Sequence, residues 1–300
     1  INCPCKTSAP TLRSAGGSNT LSGMLTIVGG SRVAVDGGGG FLGVVGGVTG
    51  VNQQIVINAG GSTIGFFEKP LLLGSGGTFY SDQTGLIILS VTGNTWGTTL
   101  SAGGTLRTDL AGALPTNRAL RLGGSYSTNG PVDLTGNDQT VAGLQSGTAA
   151  GGQAFAAGVR TVTSSNAPAT LTLNQANNTI YDGHLGGQLS LTKNGNGTLN
   201  LTRSNWHSGT TTIAGGRINL GDTHAMQHST VDLQINSGAV FSNATSFVFG
   251  GLAGSGNLGL TNLAGSAIQL LVGNNGADTL YSGALGGGGR DGSRPGRPGD

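Results

Sequence analysis

An all-β fold built by stacking short strands into a solenoid is what this 300-residue chain predicts, on three observations. The composition comes first: 60 glycines, 9% charged residues and a single glutamate, Glu68, leave little material for helices, which draw heavily on Glu and Lys. Hydrophobic residues at 36% and aromatics at 5% would fill a broad sandwich core poorly. They suffice for a narrow column of Leu, Ile and Val in which each rung is covered by its neighbours. The second observation is alternation. Leu199 and Leu201 alternate with Thr198 and Asn200, and Ile218 and Leu220 with Arg217 and Asn219. A period of two sends apolar side chains to one face and polar ones to the other, and the Asn-Gly and Gly-Gly pairs between these segments supply the turns. The third is recurrence. Leu171–Gly187 aligns without gaps on Leu271–Gly287, an offset of 271 − 171 = 100, matching Leu171 to Leu271, Asn174 to Asn274, Thr179 to Thr279, Tyr181 to Tyr281 and Gly183 to Gly283. Self-similarity at this scale marks a repeat architecture.

Taken in chain order, residues 1–18 read as an irregular segment, 19–287 as the solenoid and 288–300 as a disordered tail. The first residues lack the charged and apolar regions of a secretory signal and do not begin with Met, so the chain reads as an internal piece of a longer exported protein. Cys3 and Cys5, the only cysteines, stand too close to bridge each other and lack metal-site spacing; they read as incidental thiols. Gly37–Gly40 is no phosphate loop, because no helix with a Lys-Ser/Thr pair follows it. Val44–Phe79 matches the repeat least and concentrates Phe66, Phe67 and Phe79; core packing is the reading preferred for them, with a binding insertion as the alternative. Gly85–Leu106 then echoes Gly197–Ile218 at an offset of 112, Ile87 on Leu199, Leu89 on Leu201 and Thr98-Thr99 on Thr210-Thr211. Val141–Leu144 resembles Phe249–Leu252. The closing Gly, Arg and Pro residues break off so abruptly from the repeat that a truncated, engineered or frame-shifted terminus is expected. There is no apolar run long enough for a transmembrane helix.

The densest stretch, Leu191–Leu201 (LTKNGNGTLNL), resembles the autotransporter-associated β-strand repeat, also called the passenger-associated transport repeat, of bacterial surface proteins. Every fixed position of that family's first motif, L-T-K-x-G-x-G-T-L-x-L, is met here. The second motif, N-T-Y-x-G-x-T, is altered: Asn205 is followed by Trp206, and His207 stands at the usual Tyr, whereas upstream Asn94-Thr95-Trp96 keeps an aromatic there. The strong match covers about 30 residues and the weaker pattern runs from Asn19 to Gly287. The resemblance implies a right-handed parallel β-helix serving as the exported stalk, or passenger, of a protein at the cell surface, outside the outer membrane. It implies no enzyme and no cofactor.

Residues that invite a chemical reading were weighed against this. His224 and His228, with Asp222 nearby, have helical metal-ligand spacing, but the glycine-rich context disfavours helix and no metal site is assigned. Gly286–Asp291 fits the start of a calcium-binding nonapeptide, yet stands alone and continues with Ser293 where a large apolar residue belongs. The eleven aspartates are spread thin; stacking could still bring Asp109 or Asp133 near Asp222 or Asp232, which keeps a polysaccharide lyase or hydrolase as the remote alternative. No catalytic, cofactor-binding or metal residue is therefore assigned. A net charge of +2 with no basic stripe excludes a nucleic-acid partner. The expected role is a non-catalytic rod, with an adhesin or carbohydrate-binding β-helix as the rival. The expected partners are a host or matrix surface, a polysaccharide, or another copy meeting end to end through uncapped rungs.

Overall fold

The computed structural model describes residues 12–28, 31–35, 40–82, 84–101, 103–123, 130–146 and 160–287. Among these there is no helix. Twenty-eight strands form sheets of 13, 9, 4 and 2 strands, every paired strand parallel, wound as a β-solenoid of about ten turns. With neighbouring strands about 4.8 Å apart, ten turns make a rod about 45–50 Å long.

Three ladders run along it. The first stacks Leu12–Ser14, Ser31–Val35, Gln54–Asn58, the end of Leu71–Asp82, Thr95–Ser101, Ala119–Leu122 and Gly143–Ser146. It continues through Thr179–Tyr181, where the Thr179 hydroxyl donates to the Leu144 carbonyl at 2.6 Å, into Thr198–Leu201, Gly216–Leu220 and Ser237–Phe241. The second holds Ser18–Leu21, Phe41–Val44, Thr63–Phe67, Leu86–Ser90, Thr105–Thr108 and Val132–Asp133. The long strands Thr161–Asn174 and His184–Asn194 begin in this ladder, shift register between Ser164 and Ala169, and end in the third, beside Gln139–Val141, Thr211–Ile213 and Met226–Leu233.

The alternation of the sequence becomes columns of stacked like positions. Leu42, Ile64, Ile87, Leu106, Val132, Val162 and Leu185 lie in register down the second ladder, all buried. Tyr181, Leu201, Leu220 and Phe241 do so in the first, and Leu171, Leu191, Thr211 and Val231 in the third. Each apolar member contributes about 1.5–3 kcal/mol by leaving water, nearly all of it through its own rung and the two adjoining ones. Phe66, Phe79 and Trp96 belong to this interior, with the Phe79 and Trp96 rings stacked at 4.9 Å and 22°. The weakly matching stretch Val44–Phe79 is thus ordinary solenoid.

Between residues 170 and 233 the period is close to 20, with hydrogen bonds joining residues 20 apart at Asn174–Asn194, Leu185–Asn205 and Asn205–Ala225; later it lengthens, with Val248 pairing Leu271 and Leu258 pairing Leu285. Earlier it varies: Ile87 pairs with Leu106, a step of 106 − 87 = 19, but Leu106 pairs with Val132 and Val132 with Val162, steps of 132 − 106 = 26 and 162 − 132 = 30. The column nonetheless stays in register across both steps. The offsets in the sequence also prove to be local units rather than whole rungs. Ile87 and Leu89 sit in the second ladder while their matches Leu199 and Leu201 sit in the first, and Thr99 is in the first while Thr211 is in the third. The same strand-turn-strand unit recurs displaced by one face. Tyr181 and Tyr281 show this at atomic detail. Each donates its hydroxyl to the carbonyl three residues on (His184, Ala284) and to one in the preceding rung (Arg160, Gly256), yet Tyr181 pairs beside Leu201 and Tyr281 beside Gly254.

Two core expectations fail: Phe67, grouped with Phe66 and Phe79 in the sequence, is only half-buried because it alternates outward after Phe66, and the strand pattern breaks at Ile235. Alternation in the sequence would turn Leu171, Leu173, Leu199, Leu201, Ile213, Ile218, Leu220, Leu233 and Ile235 inward; eight are buried and Ile235 is 68% exposed. The strand ends at Leu233, and Gln234–Ser237 turns over Asn236 at φ 67°, so the alternation carried on to Ile235 has no strand beneath it. Parallel pairing starts at Leu12 and is traced to Gly286. Cys3, Cys5, Gly37–Gly39 and the tail 288–300 lie outside the described residues.

Leu201→Asp is expected to place a carboxylate between Tyr181 and Leu220 at a cost of several kcal/mol and to open the adjoining rungs. Limited proteolysis should cut the variant between residues 180 and 240 well before wild type; equal cutting rates would refute the column.

Candidate functional site

Polar residues of this rod divide into those turned inward, which tie rungs together, and those turned outward, which a partner could reach. Asn205 is buried; its Oδ1 accepts from the Leu185 amide at 2.7 Å and its Nδ2 donates to the Ala225 carbonyl at 2.9 Å, one rung to each side. Asn94 repeats this, accepting from the Leu71 amide at 2.8 Å and donating to the Val91 and Ala113 carbonyls. A carboxamide suits the place because it offers both a donor and an acceptor to backbone groups exposed at a corner.

Two residues after each Asn an aromatic ring turns inward and finds a threonine. Trp96 Nε1 donates to Thr99 Oγ1 at 2.7 Å; His207 Nε2 lies 2.9 Å from Thr211 Oγ1. Thr211 is 2.8 Å from Ser229 Oγ, which donates to the Gly209 carbonyl at 2.6 Å. That terminal carbonyl only accepts, so the chain runs outward from an Nε2 proton and leaves Nδ1 bare; Nδ1 is buried without a partner among the described residues. Burial first, and the charge of His228 second, lower the His207 pKa to about 4.

Lys193, the fixed lysine of the matched motif, is also fully buried. Its Nζ donates to the carbonyls of Asn194 and Gly195 at 2.9 Å and of Gly215 at 3.2 Å, clamping two successive corners, while burial lowers its pKa to about 8. Sequence reasoning missed its inward direction because a lysine in an alternating strand reads as an outward residue. The signal was its register, two positions after Leu191 and eight before Leu201.

Asp109, Asp133, Asp138 and Asp182 are engaged in turns and ion pairs. Arg107 holds Asp109 through two bonds of 2.6 and 2.7 Å. Asp133 accepts from the Thr135 and Ser165 amides and the Ser165 hydroxyl, and Asp138 from the Thr170 amide. Asp182 is held by Ser146 and Arg160, whose bonds, with the charges of Arg160 and Arg203, keep its pKa low against partial burial. The stacking that could have gathered acids does not: Asp133 stands opposite Arg107 and Thr163, and Asp232 opposite Thr212 and Ala253. Asp222 accepts from the His224 amide and Thr223 from or to the His224 ring, so His224 and Asp222 form a turn. Among the described residues no three His, Cys, Asp or Glu side chains cluster as a metal site.

Among the outward apolar side chains is an aromatic one, Trp206, 44% exposed. Its backbone amide donates to the Leu185 carbonyl, setting it beside Gly186 on the second ladder, and its ring covers that glycine so closely that a Cβ there would meet Nε1 at 2.4 Å. The His184 ring flanks it, centroids 4.9 Å apart and planes at 36°. Phe41 and Phe67 form a second, half-buried outward pair on the same ladder, 6.2 Å apart over Gly43 and Gly65.

No family model matches the chain, and no solved structure matches it. Among curated proteins it is similar to the adhesin BmaC autotransporter of Brucella suis biovar 1 (strain 1330), 34% identical over 145 residues. That alignment covers 47% of this chain and 4% of the relative, so the chain spans a small part of the length of the protein it matches.

A histidine whose pKa falls from 6.5 unfolded to about 4 folded makes the unfolded chain the better proton binder between those values. Its contribution is complete above pH 6.5 and is lost as pH falls towards 4, about 3 kcal/mol in all. Urea melts at pH 7 and pH 4 should show a smaller acid loss for His207→Tyr than for wild type; equal losses would refute the assignment.

Proposed function

We propose that this chain is a non-catalytic, passenger-type rod of a bacterial exported protein, displayed at the cell surface and used in attachment. The observation that carries the reading is the fate of its polar side chains. Asn94, Asn205, Lys193, His207 and Thr211 are consumed inside the rod, and Asp109, Asp133, Asp138 and Asp222 in ion pairs and turns, so the motif is accounted for by the needs of stacking. Similarity to a stretch of an autotransporter adhesin supports the same class. No helix among the described residues is long and apolar enough to cross a membrane.

The partners proposed are a host or matrix surface, a polysaccharide, or a second copy. For the second copy, the last described rung carries Leu271, Val272, Leu280 and Leu285 at 46–81% exposure.

Antibodies raised against the chain should label intact source bacteria, and labelling that requires permeabilised envelopes would overturn the surface assignment. Incubated with calcium and pectate, alginate or cellulose, the protein should release no new chain ends. Cleavage that Asp109→Asn or Asp133→Asn abolishes would replace the rod by an enzyme.

A further inference from the structure

Trp206 is surplus to the fold. In the upstream copy of its motif, Asn94-Thr95-Trp96, the outward position is the exposed Thr95 and the ring the interior needs is Trp96. In the later copy His207 supplies the inward ring, and the outward position carries an indole instead. An exposed Trp costs solvation and is held here by a dedicated arrangement: Gly186, which alone leaves room beneath the ring, and His184, whose Nδ1 donates to the Ser204 carbonyl at 2.6 Å and so fixes its orientation.

The outward residues next to Trp206 and His184 in the chain and the ladder are polar. Thr163 stands opposite Gly186 in the ladder, Thr202, Arg203 and Ser208 are exposed, and the Asp182 carboxylate, two residues before His184, is 40% exposed and feels the Arg203 charge. With Nδ1 committed to the Ser204 carbonyl, the His184 ring keeps Nε2 for a further hydrogen bond. A protein partner would call for a wide apolar patch around the anchor, and the neighbours here are hydroxyls and charges. A flat apolar plate rimmed by hydrogen-bonding groups complements a ligand with C–H bonds on one face and hydroxyls at its edge.

We propose that Trp206 is a saccharide-stacking platform, on which a pyranose unit of a glycan lies against the indole while Asp182, His184 and Arg203 bond its hydroxyls. This rests on the attachment reading above and names its ligand class. Its test is separate from that reading, because surface labelling is blind to Trp206.

The chain has two tryptophans, and Trp96 is 1% exposed, so ligand-induced changes in intrinsic fluorescence report on Trp206. Wild type should be titrated with cellohexaose, chitohexaose, hyaluronan octasaccharide and 3′-sialyllactose. At least one is expected to quench and blue-shift the emission saturably. Trp206→Thr, which copies Thr95, should weaken that binding about tenfold or more by calorimetry, with an unchanged melting temperature. Gly186→Ala, which crowds the ring and leaves the inward column intact, should weaken it too, keeping the test decisive if the first variant melts early. The two uncharged hexasaccharides and the two acidic glycans separate hydroxyl recognition from pairing with Arg203. Failure of all four to bind, or binding that survives both substitutions, would overturn the platform.

Discussion

Every part of this rod depends on one constraint: a strand in a parallel stack has no hairpin partner, so its amides and carbonyls are satisfied only by the rung before and the rung after. The chain must therefore return to the same face one strand spacing further along the rod after each turn, with its strands in register. Between Leu171 and Leu233 it does so every 20 residues, and the corner groups that no strand can serve are served by side chains. Asn205 does this in both directions, and Lys193 gathers three carbonyls from two corners. Remove a corner tie and the cost is that of buried backbone groups left without partners, about 1–3 kcal/mol each. The interior ladder of Leu and Ile supplies the larger energy; the ties decide where each strand begins.

That division explains what could be read from the sequence. The columns were legible because inward and outward residues differ in kind: Leu199 and Leu201 against Thr198 and Asn200, Ile218 and Leu220 against Arg217 and Asn219. Where a polar residue turns inward, composition misleads. Lys193 and Asn205 look like surface positions, and only their hydrogen bonds to neighbouring rungs reveal them. Where an apolar residue follows the strand, alternation misleads in the opposite sense, as Ile235 shows. The repeat itself was visible, but its phase was not. A gap-free match compares local units, and the structure uses one unit at different corners, as Tyr181 and Tyr281 do. Sequence similarity records the strand and its turn, while the face on which the unit lands depends on the summed length of all the corners before it.

The longer steps at Leu106–Val132 and Val132–Val162 follow from the same physics. Extra residues between two strands cost only slowly increasing loop-closure entropy, provided the strands that flank them still stack. Corners can therefore lengthen, and outward positions can change, without disturbing the column from Leu106 through Val132 to Val162. A solenoid separates what holds it up from what it can show to a partner more cleanly than a globular domain does, where one side chain often serves both ends.

The two aromatic copies bring that separation down to a single pair of residues. Successive side chains on an extended backbone point to opposite sides, so Asn-x-aromatic places its first and third residues inside and its second outside. Trp96 and His207 occupy the third position, and both end on a threonine hydroxyl. The inward site thus accepts an indole or an imidazole as long as one N–H reaches that hydroxyl, and the choice of imidazole adds an acid-sensitive group to the core. The second position has no such demand. Thr95 and Trp206 stand on equivalent backbone, and the glycine under the Trp206 ring lies on a neighbouring strand, twenty residues earlier in the chain. A ring kept at the surface by a glycine that its own rung does not require is explained by what it meets outside the rod.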